Sequence, residues 1–363
     1  MIYFNTPADF DINKIDKYRD LNQKFSFKKF AVKSFYGNLN PSEFPSARYQ
    51  SILPVINLRK LKEYVNVLHK TGFEFNYTFN AICLENIEHT KSGQRKIIDH
   101  IKILRDAGID SITVSNFRVI DLIKKVAAGL KINISANLQI MSAGGIGMLR
   151  GLGIDSIVLS TDANKNFGII ADIVNNTKIN VEIIINSGCM LGCPFSYSHY
   201  SYISHAKNLK LDANNLPYFE LRCELNRILY PERSVFLSSF IRPEDISIYY
   251  NNLGITNFKL IGRHKTGRDY LKNLEVYMQE YYQGNFFELF YGLQDNILQD
   301  IFYLDNRRLD RFLENLYRNK IDYFYNYREY MDRVNTMVKH IKINKKLKKQ
   351  RLQFCERQLK CLP

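Results

Sequence analysis

The 363-residue sequence predicts an α/β fold, a TIM-like (β/α)8 barrel with a C-terminal helical extension. Short runs typical of strands alternate with helical patterns from about residue 30 to residue 265, as in repeated βα units with a parallel sheet. The sequence Gly-Ile-Asp-Ser-Ile occurs at both 108–112 and 153–157, and each copy begins with a glycine that suits a helix end. Repeated corners of this kind in eight units favour a closed barrel over an open sheet.

Each predicted strand is a short run rich in β-branched and aromatic residues. The eight runs are 30–35, 73–79, 111–115, 132–136, 156–160, 181–185, 235–239 and 258–261. Apolar residues at helical spacing lie between them, such as Leu61, Val65 and Leu68, and predict helices packed on the sheet. No GxGxxG motif follows the first run, which disfavours a dinucleotide-binding fold.

The spacing of these runs divides the chain into three regions. Residues 1–268 are predicted to form the barrel, with an insertion at 186–233 over its top, because this connection is about twice as long as most others. Residues 269–338 carry a helical pattern rich in Tyr and Phe. Residues 339–363 form a basic tail, for which an ordered and a disordered state both stay open.

Composition limits the class of protein. Hydrophobic residues make up 45% of the chain, enough for a large core, and no apolar run is long enough to predict a membrane span. The N-terminus lacks the regions of a secretion signal, so a cytoplasmic location is expected. The net charge of +15 suits an anionic partner such as RNA, although the same bias toward Lys and Asn can reflect an AT-rich coding sequence.

The segment after the sixth predicted strand is the most informative. Cys189 and Cys193 form a CxxxC pair flanked by Gly188 and Gly192, whose flexibility lets both sulfurs face one point. Cofactors bind at the carboxyl edge of the sheet in this fold class. A metal or cluster site is therefore predicted, with the pair as ligands.

Further cysteines can complete that site. Cys223 lies in the same insertion and Cys83 follows the second predicted strand, so four thiols are expected on one face, the number that a 4Fe-4S iron–sulfur cluster or a zinc ion needs. The alternative is that these two are buried apolar residues. Cys355 and Cys361 stand in a basic helical setting and are expected to be free thiols, although a second metal site stays open.

Polar residues near the thiols predict a substrate pocket. His199 and His205 follow the CxxxC pair, and a histidine beside a metal can orient substrate or move a proton; solvated loop histidines are the alternative. Arg242, Lys259 and Arg263 are predicted at the barrel mouth, with the adjacent 264–265 adding charge. This cluster predicts an anionic ligand. The alternatives are a solvated rim for the cations and helix capping for the acids that follow Arg242.

Together, several blocks resemble the collagenase-like peptidases of peptidase family U32. They are Phe-Asn-Tyr-Thr-Phe-Asn-Ala-Ile-Cys-Leu-Glu-Asn at 75–86, Asn-Ser-Gly-Cys-Met-Leu-Gly-Cys-Pro-Phe at 186–195, Ile-Arg-Pro-Glu-Asp at 241–245, Phe-Lys-Leu-Ile-Gly-Arg at 258–263, and 305–312. The resemblance implies a TIM-like barrel and, as in several members, a 4Fe-4S cluster held by four cysteines. Similar proteins support oxygen-independent hydroxylation of RNA bases or of a quinone precursor, whereas older classification calls them proteases. Carried onto this chain, the ligands are Cys83, Cys189, Cys193 and Cys223.

Three functions are weighed. The first is an iron–sulfur enzyme that carries out hydroxylation or redox chemistry on an anionic RNA base or small metabolite. Its pocket would be lined by His199, Arg242, Lys259 and Arg263. A partner protein of the same family is also considered. The second is a protease with a metal or a thiol nucleophile, since no GxSxG elbow supports a serine hydrolase. The third is a non-catalytic RNA-binding protein that uses the basic tail.

Overall fold

The chain folds into a closed barrel of eight parallel strands, as seen in a computed structural model. The structure describes residues 1–206, 216–263, 270–290, 297–319, 324 and 326–361. Neighbouring strands follow one another in chain order, and the first closes the barrel on the eighth. The strands are β1 Ile2–Pro7, β2 Phe30–Gly37, β3 Glu74–Phe79, β4 Ser111–Val114, β5 Lys131–Ile134, β6 Ser156–Val158, β7 Asn180–Ile184 and β8 Asn257–Lys259. The predicted TIM-like barrel is confirmed.

The prediction of a strand at 235–239 is wrong, and β1 takes its place in the barrel. Residues Pro231–Phe236 form a helix instead, with Pro231 in its first turn and Val235 buried. A short apolar run does not distinguish a buried strand from a buried helix. β1 pairs with β2 on one side and with β8 on the other, and the remaining seven predicted strands are confirmed.

Helices surround the barrel and continue into the C-terminal region. The first nine are α1 Ile15–Lys24, α2 Leu58–Lys70, α3 Lys91–Asp106, α4 Phe117–Val126, α5 Ala143–Gly147, α6 Phe167–Asn176, α7 Ser196–His205, α8 Tyr218–Leu229 and α9 Pro231–Phe236. A π-helix at Ile246–Tyr250 precedes β8. The others are α10 Tyr270–Gln279, α11 Ile297–Ile301, α12 Phe312–Asn319, α13 Tyr327–Val338 and α14 Lys345–Cys361, with a small antiparallel pair of β9 Phe302–Tyr303 and β10 Lys342–Ile343. Over the described residues, no helix combines the length and apolar character needed to span a membrane.

Helix α2 begins at a side-chain cap and buries one face. The Asn57 side chain accepts a hydrogen bond from the backbone N–H of Lys60 at 2.9 Å, which satisfies a donor of the first turn. The predicted apolar stripe is confirmed, because Leu61, Val65 and Leu68 are buried against the sheet. The chain leaves the helix through Gly72, whose φ of +84° suits glycine.

The interior of the barrel is polar, in contrast to the branched apolar layers usual in this fold. Side chains alternate between the faces of each strand, and the apolar ones pack between the strands and the helices. The inward groups bond to one another: the Asn5 amide donates to Glu182 of β7, which is not a neighbour of β1, and Thr113 Oγ1 donates to Asn76 Oδ1 at 2.7 Å. Polar groups therefore lie directly below the mouth.

The basic tail forms α14, which packs along α8. Arg351 makes a two-point contact with Glu224 of α8, with Arg351 Nη2 3.0 Å from Glu224 Oε2. The buried Cys355 has its Sγ 3.6 Å from Glu224 Oε1, whereas the side chain of Cys361 lies outside the described part. The tail is thus attached to the helix that carries Cys223.

Candidate functional site

The CxxxC segment is held over the barrel mouth by backbone and side-chain hydrogen bonds. The N–H of Ser239 donates to the carbonyl of Cys189 at 2.7 Å, within a short antiparallel contact. Gly192 has φ of +63°, a conformation that favours glycine, and its N–H donates to Asp162 Oδ1 at 2.9 Å. These bonds fix the backbone of Cys189 and Cys193 above the carboxyl end of β7.

Helix α8, which carries Cys223, packs against the CxxxC segment, because Arg227, one turn after Cys223, bonds to the carbonyl of Gly188. Burial raises the pKa of Cys223 to about 11, and the Cys189 and Cys193 thiols act in the same direction. Burial also raises the pKa of Cys193, again with a contribution from Cys189. Arg227, which donates to the carbonyl of Gly188 at 2.8 Å, opposes both rises. Three of the four predicted ligands therefore lie on the same side of the mouth and influence one another's pKa; Cys189, Cys193 and Cys223 are called the thiol rim.

The thiol rim does not have the geometry of a bound metal. In the part of the chain that the structure describes, no three Cys, His, Asp or Glu side chains stand where they could hold a metal ion together. The loop of Cys83 packs against the C-terminal end of α7, where the N–H of Ile82 donates to Ser204 Oγ at 3.2 Å. Ser204 is about 12 Å along α7 from the helix start that follows Cys193. Ligation by Cys83 stays a prediction without support from its contacts.

His199 is oriented by a carboxylate from the helix that carries Cys223. Its Nε2 lies 2.8 Å from Glu220 Oε1, and the Tyr49 hydroxyl donates to the same oxygen at 2.6 Å. The imidazole stacks on Phe219 with ring centroids 5.4 Å apart. Glu220 and Cys223 are neighbours one turn apart on α8, so the oriented imidazole stands beside the thiol rim.

Two other predicted residues have partners of their own. Arg242 is buried, and its Nε and Nη2 donate to Asp245 while Nη1 lies 3.1 Å from Asp310 in the C-terminal region. These contacts favour a structural tie between barrel and C-terminal region over substrate binding. His205 lies 3.3 Å from Glu85 at the exposed end of α7, away from the thiol rim.

Lys259 lies inside the barrel as one member of a charged pair. Its Nζ is 3.4 Å from Glu182 Oε2 and 4.4 Å from the centroid of the Tyr36 ring. The Tyr36 hydroxyl donates to the carbonyl of Leu260 at 2.7 Å, and burial raises the pKa of this phenol above its usual range. The floor of the site therefore holds an ammonium, a carboxylate and a protonated phenol.

Arg263 reaches across the mouth from the end of β8. Its Nη1 donates to Asn38 Oδ1 and to Thr78 Oγ1, which lie on the opposite side of β1. Lys259 and Arg263 are thus both brought to the predicted pocket. His264 and Lys265, predicted to add charge here, lie outside the described residues.

Sequence reasoning missed four residues of this site. Arg48 and Tyr200 share a hydrogen bond, and the Tyr200 hydroxyl also contacts the Cys189 thiol, which together with burial raises the pKa of Tyr200. No local pattern marks Arg48, because only the tertiary fold brings its loop to the mouth. Glu182 carried a usable signal, since it is the one charged residue inside the apolar run 181–185. Glu220, which orients the imidazole, lies in a helix with no distinguishing spacing.

Comparison with known proteins shows which family the chain is similar to. Residues 46–215 match the family model described as peptidase family U32. A protein of Methanocaldococcus jannaschii, named an uncharacterized protease, is 29% identical over 325 residues, which are 86% of this chain and 92% of the relative. The solved structure of the U32 peptidase Mk0906 matches with a TM-score of 0.54 at 14% identity, over 73% of this chain and 95% of that one, which shows a shared fold. The predicted resemblance to peptidase family U32 is thereby confirmed, through a family match over residues 46–215.

Proposed function

We propose that this chain is an iron–sulfur protein that carries out oxygen-independent hydroxylation or another redox reaction on an anionic substrate. The observation that carries the proposal is the placement of Cys189, Cys193 and Cys223 at the mouth of a barrel with a polar interior, where hydrogen bonds fix the CxxxC segment and tie it to α8. Thiolates are the ligands of iron–sulfur clusters, and such clusters accept ligands widely spaced in sequence. The chemistry of the donors therefore suits a cluster such as 4Fe-4S, with zinc on the same thiols as the alternative, and binding would require the three side chains to draw together from their present positions.

The residues of the thiol rim would hold this cluster. Cys83 is the least supported fourth ligand, because its loop packs against the far end of α7. A partner protein of the same family is a further expectation, since it could supply the missing ligand. When bound, the cluster would supply electron transfer.

The other groups at the mouth have roles that follow from their contacts. His199, fixed by Glu220, is placed to exchange a proton with substrate near the thiol rim. Arg263 presents a guanidinium for a carboxylate or phosphate group. Lys259 and Glu182 keep a charged, hydrogen-bonded floor on which a polar substrate can rest. Substrate binding, orientation and proton transfer are thus assigned to different residues.

A protease is the alternative that the names of the family and of the relative favour. A thiol protease needs a thiolate paired with a histidine. Burial raises the pKa of Cys193 and of Cys223, which keeps both protonated near neutral pH, and Nε2 of His199 is engaged by Glu220. The exposed Cys189 is the remaining candidate nucleophile. These contacts favour ligation over nucleophilic attack.

RNA and a small metabolite are the two candidates for the anionic substrate. Tyr197, Tyr202 and Tyr218 are exposed around the thiol rim, and Arg222 lies 5.2 Å from the centroid of the Tyr218 ring. Exposed rings beside cations are the means by which proteins stack unpaired bases. This surface supports an RNA base as substrate. RNA binding without catalysis, through the basic helix α14, is the second alternative.

The test is the metal and sulfide content of protein purified without air. Iron and sulfide in similar amounts, with a brown colour, are expected, and each of Cys189→Ser, Cys193→Ser and Cys223→Ser should lose them. Cys355→Ala is the matched control and should keep them, because that thiol contacts Glu224 and not the rim. Zinc without sulfide, or no metal in anaerobically reconstituted protein, would overturn the proposal.

Two further assays address the alternatives. Cleavage of gelatin-like peptides that survives in air and disappears in Cys189→Ser would establish the protease. Salt-sensitive RNA binding that is lost when Lys345, Lys346 and Lys349 are replaced by Gln, in a protein without iron, would establish the binding protein. All three lysines are exposed on α14, so these changes spare its contact with α8.

A further inference from the structure

Arg263 is a buried guanidinium whose hydrogen-bond partners are neutral. Only 6% of the residue is exposed, and Nη1 donates to the side-chain oxygens of Asn38 and Thr78. Within the described residues, no carboxylate forms an ion pair with it. Burial lowers the pKa of Arg263 to about 10, and the positive charge of Arg48 acts in the same direction. A buried cation is costly unless an anion compensates it.

Arg48 brings a second guanidinium to the same place. It lies in the segment after β2, where its Nη1 donates to the carbonyl of Ala47 at 2.7 Å. The N–H of Ala47 donates to Asn80 Oδ1 at 3.1 Å, which places Arg48 at the end of β3, beside Thr78, the hydrogen-bond partner of Arg263. As with Arg263, no carboxylate within the described ranges forms an ion pair with Arg48. Two like charges held together repel each other, and an anion between them removes that repulsion.

The neighbouring groups leave this positive charge uncompensated. The Lys259 ammonium is neutralised by Glu182, 3.4 Å away. The Tyr36 ring, whose centroid is 5.8 Å from Cζ of Arg263, offers only a partial cation–π attraction. The local excess of charge is therefore that of Arg48 and Arg263.

We propose that Arg48 and Arg263 form an oxyanion-binding site at the mouth of the barrel, which takes a carboxylate or phosphate group of the substrate. Guanidinium groups bind such oxyanions through paired N–H donors. The inference deepens the proposed function and rests on it, because it assigns the anionic part of the substrate to two named residues. Tyr200 contacts both Arg48 and Cys189, so a substrate held here lies beside the thiol rim.

Anion binding is measured on the full chain, purified anaerobically, as the rise in unfolding temperature with added inorganic phosphate, acetate or adenosine monophosphate at constant ionic strength. A saturable rise is expected for the wild type. Arg48→Gln and Arg263→Gln should each weaken binding about ten-fold or more, since each removes a charged hydrogen-bond donor. Arg59→Gln, at an exposed arginine of α2, is the control and should leave binding unchanged.

The outcomes separate this inference from the proposed function. A rise that does not saturate, or an equal dissociation constant in the wild type and in Arg48→Gln, overturns the oxyanion site; if Arg263→Gln does not fold, Arg48→Gln decides alone. Tighter binding of the nucleotide than of inorganic phosphate supports the site and makes the group a nucleotide phosphate, whereas equal binding supports a free oxyanion.

Iron and sulfide are measured on the same samples. Lost anion binding with the cluster retained overturns only the oxyanion site, and a missing cluster with anion binding intact overturns only the iron–sulfur proposal.

Discussion

Lys259 Nζ and Glu182 Oε2 lie 3.4 Å apart inside the barrel, on the adjacent strands β8 and β7. Both side chains are about as buried as core residues, 9% and 10% exposed. The Asn5 amide donates to the other oxygen of the carboxylate, so the pair is supported from a third strand. A buried charge whose partner is removed is strongly destabilising, which makes this pair a test of the polar interior.

Replacing Lys259 by Met should lower the free energy of unfolding by about 3–5 kcal/mol, because it leaves the Glu182 carboxylate buried without its cation. The double variant Lys259→Met/Glu182→Gln should recover most of that loss, since no net charge is then buried. Urea unfolding curves of the two variants and of the wild type measure the difference. Equal losses in the single and double variants would show that the two charges do not depend on each other.

The barrel could be predicted because its signals are local and repeated. Seven strands have the apolar runs that burial requires. The repeated glycines 108 and 153 both have positive φ, but only Gly108 directly follows a helix, α3, whereas Gly153 lies six residues beyond α5. β1 was not predicted because its apolar run is interrupted by Asn5, whose side chain bonds to Ser34 and Glu182 inside the barrel. The run at 235–239 has a strand composition, but Pro231 starts a helix that takes in its first two residues.

The site was predictable only where chemistry is concentrated in sequence. The CxxxC pair and Arg263 stand directly after strands, so their place at the mouth follows from the topology. Arg48 and Glu220 come from loop and helix positions whose approach depends on tertiary packing. Cys83 follows a strand too, yet its loop turns toward the end of α7, a direction that spacing alone does not encode.

The thiols of the metal-free protein should differ in reactivity. Burial raises the pKa of Cys223 to about 11, and only the thiolate reacts with iodoacetamide. Its labelling rate should therefore rise about ten-fold per pH unit from pH 8 to pH 10, whereas an unperturbed thiol levels off near pH 8.5 to 9. Mass spectrometry of labelled peptides measures this rate, with the exposed Cys189 as internal comparison. A plateau of Cys223 labelling below pH 9 would contradict the buried environment.

Replacing Arg351 by Gln should lower the free energy of unfolding by about 1–3 kcal/mol and speed the labelling of Cys223. The change removes a two-point contact and leaves the largely buried Glu224, next to that cysteine on α8, without its cation. Arg357→Gln is the matched control, because Arg357 is exposed on the same helix. Urea unfolding and the iodoacetamide assay are the measurements. Equal behaviour of the two variants would show that α14 does not hold α8 in place.

Lys165 should make stability depend on pH. Its Nζ donates to the carbonyls of Val235 and Phe236 at 3.3 and 3.1 Å, at the end of α9. Burial lowers the pKa of this ammonium to about 7, although the charge of Asp245 acts in the opposite direction. The unfolded chain keeps the proton up to about pH 10.4, so between these values the unfolded state binds more protons than the folded state. Stability contributed by this group therefore rises with pH, by about 2 kcal/mol from pH 7 to pH 9.

Lys165→Met removes this titration, and the difference in unfolding free energy between wild type and variant isolates it. That difference should grow in favour of the wild type as the pH rises, because the neutral amine keeps its hydrogen bonds without the cost of a buried charge. Urea unfolding at pH 7, 8 and 9 gives the three values needed. Lys125→Met, at an exposed position of α4, is the control, and its unfolding free energy should change with pH as that of the wild type does. If the unfolding free energy of Lys165→Met also changes with pH as that of the wild type does, Lys165 stays charged in the folded protein over this range.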